Sequence, residues 1–194
     1  MKAIGFTHSL GIDETQSLFE FDVPDPVANG RDLLVDVKAV SVNPADAKRR
    51  IRTAVDTPHE APLVLGYDAV GVVAAVGSDV TNFAVGDEVW YAGDPTRSGS
   101  NAQRQLVDER VVGRKPKNLS WAEAAAMPLT GLTSFEMLFD RFCITEGSGK
   151  GKSLLVIGGA GGVGSLTIQL ARKLTDLTVI ATASRPETAE WCRE

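Results

Sequence analysis

No stretch of this sequence approaches the roughly 18 consecutive apolar residues of a membrane-spanning helix, although 43% of its 194 residues are hydrophobic. That excludes insertion as a helical membrane protein. Cysteine is almost missing: Cys143 and Cys192 are far apart and lack the paired spacing of a disulfide framework, a zinc ribbon or a redox CxxC, so both read as free thiols. Histidine is as scarce. His8 and His59 stand apart from any HxxxH or Cys-His arrangement and read as surface or loop residues, with no metal site expected. Positive charge is not in excess either. A formal net charge of −5 leaves no basic surface for nucleic acid, and small molecules are the expected partners. A basic start followed by a long apolar stretch is also missing. Residues 1–6 therefore read as a β-strand and not a signal peptide, and the expected location is cytoplasmic.

What is present changes character along the chain. Residues 1–113 alternate short β runs with Gly, Pro and Asp, the pattern of an antiparallel, barrel-like domain with little helix. Residues 33–42 and 64–76 are strand candidates, and in the second Gly66 and Gly71 suggest bends or close backbone approach. After Lys117 the period changes. Ser120-Trp121-Ala122-Glu123 matches a capping box opening a helix over 122–127, and Pro128 and Gly131 are expected to interrupt it before a second helix over 134–142. Residues 146–152 read as a loop or hinge. Beyond them strand, glycine turn, helix and strand follow in the order of a parallel βαβ unit. The fold class is α/β overall, with domains expected at 1–125 and 126–194.

The glycine turn carries the most chemistry. Residues 154–157 form an apolar strand, Gly158-Gly159-Ala160-Gly161-Gly162-Val163-Gly164 follows, and residues 165–174 form an amphipathic helix. Gly159, Gly161 and Gly164 have GxGxxG spacing: glycine permits the tight turn, lets backbone approach a pyrophosphate and brings helix close to strand. The helix N-terminus adds unpaired N–H groups and a positive dipole end, so Gly162 and Val163 join the candidate cofactor-binding residues. A ligand-free glycine turn is the bland alternative. A strand before, a helix after and a second strand at 177–183 argue against it.

The end of that second strand selects the cofactor. An NAD site places Asp or Glu about 20 residues past the glycines to hold the ribose hydroxyls, but here Ser184 stands 20 residues past Gly164 and Arg185 follows. A cation with a hydroxyl suits a 2′-phosphate, so NADPH is expected over NADH. Ser184-Arg185-Pro186-Glu187 also reads as a capping box, a role compatible with phosphate contact.

Together these residues resemble the medium-chain dehydrogenase/reductase superfamily, particularly its zinc-independent, quinone-oxidoreductase-like branch. The resemblance runs along essentially the whole chain and is carried by Ser41-Val42-Asn43-Pro44-Ala45-Asp46, Leu65-Gly66-Tyr67-Asp68-Ala69-Val70-Gly71-Val72-Val73, Val76-Gly77 through Gly86-Asp87-Glu88-Val89, Met127-Pro128-Leu129-Thr130 and Gly158 through Gly164. It implies an N-terminal GroES-like β-barrel domain followed by a Rossmann domain, a doubly wound parallel sheet, with the nicotinamide in the cleft between them. Where zinc alcohol dehydrogenases of the superfamily carry a Cys and a His ligand, this chain has Asn43 and Tyr67, and it lacks their structural cysteine cluster. Neither replacement suits catalytic zinc. The resemblance places Asn43 near the nicotinamide and Thr130 on its carboxamide. Tyr67 could donate a hydrogen bond or proton to substrate, and Asp46 and Asp68 are expected to give supporting hydrogen bonds.

The expected activity is NADPH-dependent hydride transfer to a quinone or activated enone or carbonyl. The alternatives are a zinc-dependent alcohol dehydrogenase and a non-catalytic nucleotide-binding fragment. Only two Rossmann strands precede residue 194, so the chain reads as truncated and inactive alone, with a homodimer or homotetramer expected of the complete protein.

Overall fold

The computed structural model describes residues 1–194, which divide into two compact units, Met1–Leu129 and Thr130–Glu194. No helix is long and apolar enough to cross a membrane.

The first unit is built on two antiparallel sheets. Strands β1 (Lys2–Phe6), β2 (Phe19–Asp22) and β4 (Leu63–Val64) form a three-stranded sheet in the order β2-β1-β4. Strands β3 (Asp32–Val40), β5 (Asp68–Val76), β6 (Glu88–Ala92), β7 (Arg104–Asp108) and β8 (Gly113–Arg114) form the larger one, ordered β7-β3-β5-β6-β8. Period-2 alternation turns Val89 and Tyr91 of β6 and Gln105 and Val107 of β7 inward. With Leu33, Val35, Ala69 and Val73 the apolar members of this set make the main core. The central strand β5 is buried on both faces at its start, because Val70 packs the opposite way, on Ala124 and Ala125 of helix α2 (Trp121–Ala125). That explains its unbroken apolar run.

The expected single strand over 64–76 is two strands in two different sheets. Gly66, at φ +109°, turns the corner between them, and a Cβ there would lie 2.3 Å from Ser100 Oγ. Gly71 serves close approach: a Cβ would lie 2.3 Å from the Asp36 carbonyl oxygen of β3.

Helix was expected to be scarce before residue 113, yet α1 spans Pro44–Arg52. Its ends are well formed. Pro44 opens it, Asp46 Oδ2 accepts the Asn43 N–H at 2.7 Å, and Arg49, Arg50 and Arg52 sit at its negative end. Its buried side chains are Asp46 and Arg50, so the apolar periodicity that reveals most helices is missing.

The capping box at Ser120 behaves as read. The Ser120 N–H donates to Glu123 Oε2 at 2.8 Å and opens α2. The two expected helices form with their break just before Pro128, but Gly131 does not interrupt the second, which starts at Pro128 and not at residue 134. Pro128 takes the first position of α3 (Pro128–Glu136), where a missing N–H costs nothing, and Gly131 remains helical. A π-helical turn, Met137–Arg141, extends it.

In the second unit β9 (Ser153–Val156) and β10 (Thr178–Ala181) pair in parallel, with Leu154 opposite Val179 and Val156 opposite Ala181. Helix α4 (Gly162–Leu174) connects them and packs on both, and a short α5 (Pro186–Trp191) follows β10. This is the expected βαβ unit. Leu155 and Ile180, on alternate positions from the pairs just named, are exposed.

Glu109 is the largest charged side chain fully buried in the first unit, and no sequence pattern marks it. It accepts the Thr81 and Asn82 N–H groups at 3.0 and 2.9 Å and Arg31 Nη1 at 2.8 Å. The Asn82 N–H, then Thr81 and Arg31, hold its pKa below the usual value against the opposing effect of burial. A depressed folded-state pKa gives stability that is present above the unfolded pKa and lost as pH falls through the folded one. We therefore expect Glu109→Gln to lower the urea midpoint at neutral pH, and the gap from wild type to close as pH falls below the ordinary Glu value of about 4.3. Urea unfolding at stepped pH checks this; a gap independent of pH would contradict it.

Candidate cofactor and substrate site

Asp68, the first residue of β5, is completely buried and organises the polar cluster of the first unit. Its Oδ2 accepts Ser41 Oγ–H at 2.7 Å and Asn43 Nδ2–H at 2.7 Å, and its Oδ1 accepts the Leu129 N–H at 2.7 Å. One carboxylate thus ties the segment after β3, the cap of α1 and the first turn of α3 to β5. Burial raises its pKa, opposed by the hydrogen bonds from Ser41, Asn43 and Leu129; the nearby Asp46 carboxylate adds to the rise. Asp46 is itself buried, with Oδ1 lacking a hydrogen-bond partner. Asn43 is therefore held by carboxylates at both ends: its backbone N–H by Asp46 and its side-chain amide by Asp68. Tyr67 directly precedes Asp68 and is half-buried, and its carbonyl accepts the Gly93 N–H at 2.8 Å.

The second unit holds the glycine turn. Gly158, at φ +70°, leads from β9 into it, and the end of β10 pins it: Thr182 Oγ1 accepts the Gly158 N–H at 3.0 Å and the Thr182 carbonyl accepts the Gly159 N–H at 2.9 Å. The glycines differ in what requires them. At Gly164 a Cβ would lie 2.4 Å from the Gly158 carbonyl, and at Gly159 it would meet Ala181, Cys192 and Ile168 within 3.0 Å, so packing alone demands glycine at both. At Gly161, the cap of α4 with φ −72°, a Cβ would meet only the Gly158 carbonyl, at 3.3 Å. Thr130 lies against the same turn, with its methyl 3.1 Å from a Cβ placed on Gly162. Ser134 and Thr167, both buried, fasten α3 to α4: the Val163 carbonyl lies 3.0 Å from Ser134 Oγ and 2.8 Å from Thr167 Oγ1, the Thr130 carbonyl 2.8 Å from Ser134 Oγ, and the two hydroxyls, 3.1 Å apart, share their two protons among these acceptors. Sequence reading passed over Thr182, Ser134 and Thr167. Nothing in residue type or spacing distinguishes them from ordinary helix and strand residues.

Ser184 and Arg185 follow β10 as expected, but Ser184 does not cap α5. Pro186 takes the first helical position, which makes Arg185 the cap, and Thr188 Oγ1 accepts the Arg185 N–H at 3.1 Å. The expected capping box is thus out of register by one residue. The Arg185 guanidinium is exposed and pairs with Glu187 at 2.7 Å. No carboxylate stands at residue 184, where a dinucleotide site selective for a free ribose hydroxyl would carry one.

The chain matches the family described as Alcohol dehydrogenase GroES-like domain over residues 29–136. It is 47% identical over 196 residues to a zinc-type alcohol dehydrogenase-like protein of Staphylococcus aureus, covering all of this chain and 57% of that protein. An NADPH-dependent alkenal/one oxidoreductase of Arabidopsis thaliana is 39% identical over 200 residues, covering 100% of this chain and 50% of the plant protein. Among solved structures, a mycobacterial quinone oxidoreductase superposes with a TM-score of 0.81 at 31% identity, covering 100% of this chain and 56% of that one. The chain spans a little over half the length of these relatives.

One of these relatives carries zinc in its name, but the residues here do not fit the metal. No group of three or more His, Cys, Asp and Glu side chains is gathered to hold an ion. The Asn43 amide nitrogen, far from being a ligand, is turned into a hydrogen bond with Asp68. We expect purified protein to contain no stoichiometric zinc and to keep its fold in chelator; elemental analysis finding one tightly held zinc per chain would contradict this.

Proposed function

Because the chain belongs to the alcohol dehydrogenase GroES-like family of the medium-chain dehydrogenase/reductase oxidoreductases, we propose that it supplies the catalytic domain and the first part of the cofactor domain of an NADPH-dependent reductase that acts without zinc on a quinone or activated enone. The observation that carries this reading is the glycine turn at the N-terminus of α4, pinned by Thr182, in which a Cβ on Gly161 would meet nothing but the Gly158 carbonyl oxygen. The alkenal/one specificity named for the plant relative and the quinone activity named for the mycobacterial structure agree with it.

The residues fit the cofactor. A Cβ at Gly161 would press on the Gly158 carbonyl oxygen alone, at 3.3 Å, and bare backbone there suits close approach of a pyrophosphate to N–H groups at the positive end of a 13-residue helix. Arg185, with Ser184, suits a 2′-phosphate, for which it would have to leave Glu187. Bound there, NADPH would supply the hydride. Without a Lewis acid, hydride transfer relies on orientation and on an acceptor that is already electrophilic, hence a quinone or enone and not an unactivated ketone. Asn43 and Thr130 are proposed to orient the nicotinamide. The second equivalent needed, a proton, can come from the Tyr67 phenol, which solvent then reprotonates.

We expect Arg185→Ala, in a polypeptide of the relatives' length containing this chain, to weaken NADPH binding by about 1–3 kcal/mol, the scale of a charge-assisted hydrogen bond, while NADH binding changes little. Calorimetric titration with both cofactors measures it. Equal losses for NADPH and NADH would assign Arg185 to the fold or to a shared part of the dinucleotide.

A further inference from the structure

Of the chain's asparagines only Asn29 stands before a glycine, and the fold leaves that pair open to water. Asn29 is exposed, in the stretch that joins β2 to β3, and Gly30 follows at φ +53°. The corner they form is held through its carbonyl oxygens. The Asn29 carbonyl accepts the Asp32 N–H at 2.9 Å and the Gly30 carbonyl accepts the Asp79 N–H at 2.8 Å. The peptide between them lies against Gly77, where a Cβ would run into the Gly30 carbonyl oxygen and the Asn29 carbonyl carbon. The other side of the same peptide is unengaged: the Gly30 N–H has no acceptor, and the Asn29 side chain makes one bond, from Nδ2–H to the Val27 carbonyl at 3.0 Å. A free backbone N–H can lose its proton to water, and its nitrogen is then one bond short of a five-membered ring with Asn29 Cγ. Glycine carries no Cβ to crowd that attack, and both reactants belong to adjacent residues, so no encounter has to be arranged.

We propose that Asn29 is a site of spontaneous covalent modification, converting to aspartate and isoaspartate, and that the conversion loosens the entry to β3. The deprotonated Gly30 nitrogen bonds to Asn29 Cγ, the Cγ–Nδ2 bond breaks, and Nδ2 leaves as ammonia, carrying the equivalent of the proton that Gly30 gave up. Water then opens the cyclic imide. Opening at Cγ leaves aspartate on an unchanged main chain. Opening at the former backbone carbonyl carbon leaves isoaspartate, with the main chain routed through Cβ and Cγ and one carbon longer. Nothing is oxidised or reduced: amide and water become acid and ammonia. Both products add a negative charge where Asp79 already stands, its Oδ2 3.8 Å from the place of a Cβ on Gly30. The isoaspartate also takes the former Asn29 carbonyl out of the main chain, and with it the acceptor of the Asp32 N–H, in a corner whose contact with Gly77 leaves no room for added backbone. Arg31, which holds buried Glu109, is the next residue but one.

The 194-residue chain is kept folded at mildly alkaline pH and physiological temperature and sampled by mass spectrometry of its tryptic peptides. Residues 3–31 contain Asn29 as their sole asparagine and residues 118–141 contain Asn118, so each rate is read from one peptide. We expect Asn29 to gain the mass of an amide turned into an acid at least about tenfold faster than exposed Asn118, which precedes Leu119. Peptide fragmentation should identify isoaspartate among the products. The gain should vanish in Asn29→Gln, whose side chain is one carbon longer and would have to close a larger ring. Conversion of Asn29 no faster than that of Asn118 overturns the proposal, and so does conversion to aspartate alone, the mark of direct hydrolysis without ring closure. The converted chain, separated by its added charge on an anion-exchange column, is then unfolded in urea beside the unconverted chain. A lower midpoint supports the loosening of β3, and an equal midpoint overturns that half.

Discussion

The buried carboxylate of Asp68 is the constraint on which the first unit's polar site depends. Placing a negative charge at the start of a central strand is costly, and the sequence meets that cost with three donors from two separate stretches of chain: Ser41 with Asn43, and the Leu129 backbone. Removing the carboxylate would orphan all three. The packing that buries Asp68 pushes its carboxyl above the usual pKa, and the hydrogen bonds from Ser41, Asn43 and Leu129 oppose that rise. That packing is apolar and two-sided: Ala69 faces the main core and Val70 faces α2.

The second unit reaches a binding geometry by another route. Its turn is shaped by backbone contact and not by charge. Gly164 and Gly159 are fixed by neighbours that leave no room for a side chain, whereas at Gly161 a Cβ would press only on the Gly158 carbonyl oxygen, at 3.3 Å. Packing explains the first two; for the third, the reason proposed is the approach of a dinucleotide. This distinction separates a glycine turn kept for helix–strand packing from one kept for recognition.

Much of this was legible in residue order. The β-branched run of β3, the capping box at Ser120 and the strand–turn–helix–strand around Gly158 each have a local cause, and the structure forms them close to where that cause lies. What escaped lacked a local cause or had two. Helix α1 buries Asp46 and Arg50 in place of apolar residues, so it shows no apolar stripe. The stretch over 64–76 reads as one strand because the sheet switch at Gly66 is visible only when β1 and β3 are both in place. Pro128 signals a helix break and a helix start equally well. At the site, Asn43 and Tyr67 were singled out by resemblance, but the hold on the Asn43 amide is a property of its contacts with Asp68 and Ser41, which lie 25 and 2 residues away in sequence.

The most direct test of the account is the turn itself. In a polypeptide of the relatives' length, NADPH is titrated calorimetrically into the unaltered protein and into Gly161→Ala, with thermal unfolding of both followed in parallel. The account predicts that Gly161→Ala keeps a thermal midpoint near that of the unaltered protein yet binds NADPH at least about tenfold more weakly, a loss of some 1.4 kcal/mol. Unchanged NADPH affinity with the fold intact would mean that no dinucleotide approaches this turn, and would contradict the account at its centre.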